Sequence, residues 1–274
     1  MNFKFLTVIL LSCLFVACSN NHPAESPSSE DAAFMFQDKG QQLVNNMVQK
    51  VGDYRALLEK KDVIYTYTYQ TPDGKTDQTT EKYIFDGELS YGAYHQHDRT
   101  FPQLEGLIEQ GYDGEEYWLK HNGEVLNDED MLKRVAFNRP TNFYWFTMMQ
   151  KLLDPGLNYE YLGEKNIEGK DYDIVKITFN SEDDKPTDIY QLYINKETSL
   201  VDQFLFTVAD FGKMEIPNLM TLKYEEIDGL MIPTERLYKK STWDADVSEA
   251  PWIKVNWSAI KFNNNLTKED FKKS

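Results

Sequence analysis

The sequence predicts an α+β, mostly β fold: a curled antiparallel half-barrel sheet lidded by helices. Three observations predict it. Most of the chain alternates apolar and polar residues with a period of two, between short turn motifs. Aromatic residues, which favour pleated strands, make up 14% of the chain. One segment in the middle of the chain is helical in pattern and almost entirely apolar, so other elements must cover it on most sides.

The first 17 residues have the three parts of a secretory signal. Lys4 supplies the positive charge, residues 6–16 form the apolar run, and Ala17 is the small residue at the cleavage site. The apolar run is too short to cross a bilayer as a helix, which needs about 20 residues. We therefore expect residues 1–17 to be removed.

The residue after this signal is a cysteine, and the four residues Phe15, Val16, Ala17 and Cys18 resemble a bacterial lipobox. The resemblance implies that the thiol of Cys18 is alkylated with diacylglycerol, that the chain is cut before it, and that the new amine is acylated. Three buried acyl chains exceed what stable membrane anchoring requires. The alternative is a plain secreted protein that is cut nearby.

A polar segment follows the proposed anchor. Residues 19–31 read SNNHPAESPSSED and contain no apolar side chain larger than alanine. Such a segment cannot bury enough surface to fold. We expect residues 18–33 to form a flexible tether and residues 34–274 to form a single half-barrel domain, because no repeat or second linker interrupts them.

The net charge of the chain is −16. An acidic surface repels nucleic-acid phosphates and anionic lipid headgroups, so we expect no nucleic-acid partner and a membrane contact through acyl chains alone. The two cysteines, Cys13 and Cys18, lie in or next to the signal. The mature chain would then form no internal disulfide and no cysteine-based zinc site.

The first helix is predicted at residues 41–59. Apolar residues recur there every three or four positions, and Gly52 should bend or briefly break the helix. The members of this stripe are Leu43, Met47, Val51, Tyr54 and Leu58.

The period then changes to two. Tyr65, Tyr67 and Tyr69 should point to one face of a strand that ends at the turn Pro72-Asp73-Gly74. Later turn motifs separate short aromatic and β-branched runs, which predicts about nine to eleven antiparallel strands. These motifs are Asp86-Gly87, Asp113-Gly114, Asn122-Gly123, Glu168-Gly169 and Asp228-Gly229.

The second helix is predicted at residues 141–153, with Thr141 or Asn142 as its cap and Pro155-Gly156 as its stop. Its interior is almost wholly apolar. We expect the concave face of the curled sheet to cover it.

Several stretches together resemble the lipoprotein-carrier and lipoprotein-receptor superfamily, which has the LolA/LolB-like fold, and in particular an uncharacterised family of bacterial lipoproteins. They are residues 112–118, 161–172 and 227–234, with the ending from Phe262 to Phe271. The resemblance implies an open half-barrel that binds acyl chains between sheet and helices, without catalytic residues. The soluble carriers of the superfamily lack an acyl anchor, so an anchored chain favours a receptor-like or sensor-like role.

Aromatic and thioether side chains are the strongest sign of a binding site. They either form an ordinary core between sheet and helix or partly line a cavity for an acyl chain, where methionine can repack around different ligands. The candidates are Tyr65, Tyr67, Tyr69, Tyr83, Phe85, Trp118, Trp145, Phe146, Met149, Phe204 and Phe206.

The sequence indicates metal binding and catalysis only weakly. His95 and His97 should share one face of a strand and, with Asp98 and His121, could bind a metal. The acidic clusters at residues 115–116, 128–130 and 182–184 lie beside turns or helix starts, where carboxylates are expected to cap helices and to be solvated. Nucleophile-elbow, phosphate-loop and HExxH motifs do not occur, so we expect neither catalysis nor a cofactor.

The leading hypothesis is an envelope lipoprotein, in the outer membrane, that binds an apolar ligand without catalysis. Its ligand would be an acyl chain or the lipid of a lipoprotein, admitted when residues 143–153 move as a lid. The alternative is a scaffold or partner-binding module with a solid core. A weaker alternative is a metal-binding protein at His95 and His97.

Overall fold

The computed structural model describes residues 38–181, 185–212 and 214–273. The signal, Cys18, the tether and the acidic cluster at residues 182–184 lie outside the described residues. No helix among the described residues is both long and apolar enough to cross a membrane.

Three α-helices are described: α1 at Lys39–Val51, α2 at Tyr54–Glu59 and α3 at Glu129–Lys151. The predicted helix at residues 41–59 is thus two helices, α1 and α2, separated at Gly52, whose φ of 88° favours glycine. Aspartates cap both N-termini, as Asp38 accepts from Gln41 N at 2.7 Å and Asp53 accepts from Ala56 N at 2.8 Å.

The described residues form 13 strands in one antiparallel sheet, two more than the predicted upper number. Their order across the sheet is β6-β5-β4-β3-β2-β1-β13-β12-β11-β10-β9-β8-β7. The strands are β1 Asp62–Gln70, β2 Thr76–Ile84, β3 Leu89–His97, β4 Ile108–Tyr112, β5 Tyr117–His121, β6 Glu124–Leu126, β7 Leu157–Ile167, β8 Lys170–Phe179, β9 Ile189–Asn195, β10 Val201–Phe206, β11 Asn218–Ile227, β12 Leu230–Lys240 and β13 Ile253–Phe262. Two short 3₁₀ segments, Ala209–Phe211 and Lys268–Phe271, complete the described elements.

All the predicted turn motifs connect consecutive antiparallel strands. At Asn122-Gly123, Glu168-Gly169 and Asp228-Gly229 both residues have positive φ. This is the geometry of a tight turn whose twist matches that of the strands, and glycine adopts it without strain.

One pairing departs from a simple meander. β1 pairs with β13 in the middle of the sheet, so the first six strands and the last seven form two meanders joined along this seam. The short strand β6 and the strand β7 lie at opposite edges, and α3 connects them along the chain. The sheet is therefore open, with helices packed against it, as the LolA/LolB-like resemblance implies.

The sheet curls strongly. Tyr94 of β3 and Tyr190 of β9 line the same cavity although seven strand spacings separate them in the sheet order. On a flat sheet that separation is about 33 Å at the usual strand spacing. Shifts of register in several strand pairs, such as the one between Ile64 and Thr66, add to the twist.

Helix α3 begins 12 positions before the predicted residue 141, so that boundary is wrong. Its cap is Asp128, which accepts from Met131 N at 2.9 Å, and two acidic residues occupy the first turn. Pro140, Thr141 and Asn142 lie inside the helix. Proline removes one backbone hydrogen bond there, and tertiary packing compensates for that loss.

A buried ion pair joins α3 to the sheet. Arg139 Nη1 donates to Glu81 Oε2 at 2.9 Å, and neither side chain is exposed. Tyr83 and Asn142 donate to the same carboxylate, at 2.9 and 3.3 Å. Gly92 leaves room for the guanidinium, because a Cβ atom there would lie 2.6 Å from Arg139 Nη1.

Candidate functional site

A cavity of about 660 Å³ lies between α3 and the inner face of the sheet. Helix α3 contributes eight positions of its middle part, from Arg134 to Trp145. The opposite wall comes from strands on both sides of the β1–β13 seam, including Tyr69, Val255 and Tyr238. A core filled throughout by its own side chains is therefore wrong for this region.

Five of the eleven candidate ligand-binding residues line this cavity: Tyr65, Tyr67, Tyr69, Trp145 and Phe206. The three tyrosines alternate along β1, so they face the same side of the sheet as the pattern predicted. Trp145 closes the space from α3, and its ring packs edge-on against Phe206 at 5.2 Å between centroids.

The other six candidates are packed into solid parts of the core. Tyr83, Phe85 and Phe146 belong to a cluster of rings in which Phe146 lies 4.9 Å from Tyr65. Met149 and Phe204 belong to the cluster beneath α1. Trp118 donates from Nε1 to the Phe271 carbonyl at 2.8 Å, where the chain end covers β5.

The cavity wall also holds polar groups that the sequence pattern did not single out. Arg99 Nη1 lies 3.5 Å from Asp77 Oδ2, and its guanidinium lies 3.6 Å from the centre of the Tyr69 ring. Asp77 also accepts from Thr100 Oγ1 at 2.9 Å. This pair is therefore satisfied within the protein.

Arg236 of β12 is a second charged residue of the wall and is buried, with 3% of its surface exposed. Its Nη2 donates to the Trp145 carbonyl at 3.0 Å and its Nε to the Pro233 carbonyl at 3.3 Å. The guanidinium lies 3.8 Å from the centre of the Trp257 ring. Burial lowers the pKa of Arg236 to about 10, so it keeps its charge at neutral pH.

Several tyrosine hydroxyls of the wall are neutral at physiological pH. Burial raises the pKa of Tyr67 and Tyr238 well above the ordinary value, and it raises the pKa of Tyr94 to about 12. Tyr69 and Tyr238 hydrogen-bond to each other through their hydroxyls. Rings with neutral hydroxyls and few charges give an apolar, orienting surface of the kind that binds small molecules.

At the far wall, Asp188 accepts from Ala209 N at 2.6 Å, and burial raises its pKa. Asp210 also lines the cavity. The cavity thus has carboxylates in one part of its wall and, in another, a buried arginine without a carboxylate partner.

The proposed metal site at the histidines is wrong in its geometry. A register shift in β3 leaves His95 exposed, hydrogen-bonded to Thr80 Oγ1 at 3.0 Å, and buries His97, hydrogen-bonded to the Gly106 carbonyl at 2.8 Å. The two side chains do not share an environment. No group of three or more metal-binding side chains occurs among the residues that the structure describes.

Comparisons with known proteins concern part of the sequence and the fold. Residues 117–216 match a family of unknown function, DUF6503. These residues include β5 and β6, α3 and the strands up to β10. A search of curated proteins finds no match.

Similar solved structures include a DUF1329 family protein from Desulfovibrio piger, at 14% identity, with 85% of this chain and 96% of that chain covered and a TM-score of 0.49. A putative outer membrane lipoprotein-sorting protein domain from Vibrio parahaemolyticus is 12% identical, with 86% and 97% covered and a TM-score of 0.49. A LolA superfamily protein from Nitrosomonas europaea is 12% identical, with 85% and 97% covered and a TM-score of 0.48. The third of these proteins carries the superfamily name that the sequence resemblance suggested.

Proposed function

We propose that this protein is an envelope lipoprotein, held on a membrane by acyl chains at Cys18, that binds an apolar ligand without catalysis. The ligand is an acyl chain or the lipid of a lipoprotein, and it occupies the cavity between α3 and the sheet. One observation carries the proposal. The space between α3 and the sheet has a volume of about 660 Å³, which lies in the range of small-molecule sites in other proteins, and many of its lining residues are aromatic.

Large spaces between packed elements are rare in proteins, and this rarity is the physical reason to assign a function to the cavity. Protein interiors are close-packed, and voids larger than a water molecule are few. Each methylene of a ligand that enters an apolar space contributes about 0.8 kcal/mol, so a long chain binds without a specific polar partner. The faces of Tyr65, Tyr67 and Trp145 supply such a surface.

The packing of α3 indicates where the ligand enters. Moving residues 143–153 as a lid would expose five side chains that are no more than 2% exposed, namely Phe143, Phe146, Met148, Met149 and Leu152. That costs roughly 7–15 kcal/mol, which equals the stability of a whole domain. In residues 129–138 only Val135 is buried, so we infer that this first part of α3 moves instead.

A neutral apolar dye, N-phenyl-1-naphthylamine, tests the cavity in the full-length protein. Val208 lines the cavity and is half-buried, so a Val208→Trp side chain takes up space that the ligand needs. Displacing two methylene equivalents weakens binding about tenfold. We expect the dye to bind the wild-type protein and to bind the Val208→Trp protein at least about tenfold more weakly.

The matched control is Val247→Trp, because Val247 is 38% exposed and does not line the cavity. This variant should bind the dye as the wild type does. Unchanged binding in Val208→Trp, or equal loss in both variants, would rule out the cavity as the binding site. Lipid that copurifies with the protein, detected by native mass spectrometry, is the independent readout.

A further inference from the structure

Arg236 differs from the other well-buried arginine of the described chain. Arg139 is fully buried and pairs with Glu81 at 2.9 Å, whereas Arg236 is also buried but lies within ion-pair distance of no described carboxylate. The other arginine that lies deep in the cavity wall, Arg99, has Asp77. A buried charge without a counter-charge is costly, and proteins normally pair it.

The partners of Arg236 leave part of its hydrogen-bonding capacity unused. Nε and Nη2 donate to the Pro233 and Trp145 carbonyls, and among the described residues no acceptor is recorded for Nη1. The groups whose electrostatic interaction changes the pKa of Arg236 are the hydroxyls of Tyr224, Tyr65 and Tyr67. None of these carries a negative charge at neutral pH.

A second donor in the same wall also has no acceptor. Trp257 lines the cavity with 4% of its surface exposed, and its Nε1 is buried without a hydrogen-bond partner. The guanidinium of Arg236 covers the ring of this tryptophan. Arg236 therefore gives the cavity wall a positive charge without an anion, and the Trp257 ring that it covers holds a buried donor without an acceptor.

We propose that the ligand of this cavity is an anionic amphiphile, whose head-group oxygens accept hydrogen bonds from Arg236. This inference rests on the proposed function, since it specifies the ligand of the same cavity. The shared chemistry is a carboxylate or a phosphate ester on a long alkyl chain. A guanidinium forms stronger hydrogen bonds to such oxyanions than to neutral oxygens.

The remaining charges of the wall orient this ligand. Asp188 and Asp210 lie in the wall and repel an anion, whereas the carboxylate of Asp77 is already held by Arg99 and Thr100. Arg134 also lines the cavity, but its side chain is exposed, so solvent screens its attraction for an anion. The head group is therefore directed to the buried Arg236. The alkyl chain then lies against the rings of Tyr65, Tyr67 and Trp145.

Three probes with the same 16-carbon chain test the inference: palmitate, hexadecyl phosphate and hexadecanol. Each is titrated into the full-length protein below its critical micelle concentration, and binding is followed by tryptophan fluorescence. We expect at least one of the two anions to bind the wild-type protein at least tenfold more tightly than the alcohol. The anion with the higher affinity distinguishes a carboxylate ligand from a phosphate ligand.

Variants assign this preference to Arg236. In Arg236→Gln the ratio between anion and alcohol should fall to about threefold or less, while the affinity for hexadecanol stays unchanged. Arg236→Lys keeps the charge and should keep most of the preference. Arg55→Gln is the matched control, because Arg55 is an exposed arginine beside Glu59 that does not line the cavity, and it should keep the wild-type ratio.

The outcomes separate this inference from the proposed function. Equal binding of anions and alcohol by the wild type, or a preference that persists in Arg236→Gln, overturns the inference and leaves the apolar cavity in place. Binding of none of the three probes overturns the proposed function itself. Hexadecanol binding by Arg236→Gln also shows that this variant is folded. If the variant does not fold, the inference is tested by the ratio between anion and alcohol in the wild type and in Arg236→Lys.

Discussion

At the scale of single residues, the pair Glu81–Arg139 holds α3 on the sheet. Both side chains are fully buried, and Tyr83, Tyr94 and Asn142 add hydrogen bonds around them. Removing one charge leaves the other buried without a counter-charge, which costs about 3–5 kcal/mol. We expect Glu81→Gln to lower the free energy of unfolding by that amount, measured by urea titration.

The control for this measurement is an ion pair at the surface. Lys223 and Glu235 lie 3.0 Å apart, with 76% and 52% of their side chains exposed. Solvent screens such a pair, so Glu235→Gln should cause only a small fraction of the change seen for Glu81→Gln. Similar losses in the two variants would show that the buried pair has no special role.

The residue scale also shows what the sequence could reveal about the site. Alternation along β1 predicted that Tyr65, Tyr67 and Tyr69 share a face, and all three line the cavity. Arg236 was not singled out, because a charged residue in a strand usually faces solvent. Its contact with Trp145 spans 91 positions of sequence, and no local pattern encodes such a contact.

At the scale of elements, α3 has two unlike parts. Residues 129–138 bury only Val135, whereas the part after Pro140 packs its apolar side chains into two core clusters. Pro140 cannot donate a backbone hydrogen bond at the junction. Met131 and Leu132 pack beside Val135 in a smaller core cluster, so the helix is held less firmly before Arg139 than after it.

Hydrogen exchange measures this difference. Local opening requires little free energy where few apolar contacts are lost. We expect amides in residues 130–138 to exchange much faster than those in residues 143–151, with mass spectrometry of peptides as the measurement. Bound ligand should slow exchange in the first part more than in the second. Uniform protection along α3 would contradict entry through its first part.

The start of α3 shows why element boundaries are hard to predict. Thr141 or Asn142 was predicted to cap the helix, and the acidic residues at 128–130 were interpreted only as carboxylates beside a turn or a helix start. The true cap is Asp128. The helix continues through the proline because Arg139 and Phe143 on either side are fixed by the sheet, and no one-dimensional pattern shows those contacts.

At the scale of the whole molecule, the fold class was predictable and the pairing of distant strands was not. The period of two and the Gly-containing turns fixed most consecutive pairs, as at Asn122-Gly123 and Asp228-Gly229. The edge strand β6 has three residues and escaped the pattern. The pairing of β1 with β13 joins the two ends of the domain and has no local signal.

The proposed membrane anchor is a property of the whole molecule and can be tested directly. Cys18 is the residue that the lipobox resemblance marks for acylation. We expect Cys18→Ser to release the full chain from the membrane fraction and to lack the added mass of the acyl groups. Cys13→Ser is the control, since Cys13 lies within the signal, and it should leave both properties unchanged. Membrane retention of Cys18→Ser would contradict the anchor.

The β1–β13 seam has a consequence for how the protein is made. A nascent chain can pair β1 with β2 early, but the second neighbour of β1 in the sheet, β13, is synthesised about 190 positions later, at Ile253–Phe262. Until then, β1 and β12 keep open edges that can pair with other chains. We expect products that end before β13 to aggregate or to be degraded by proteases. The sheet is therefore complete only after β13 has been synthesised and has paired with β1 and β12.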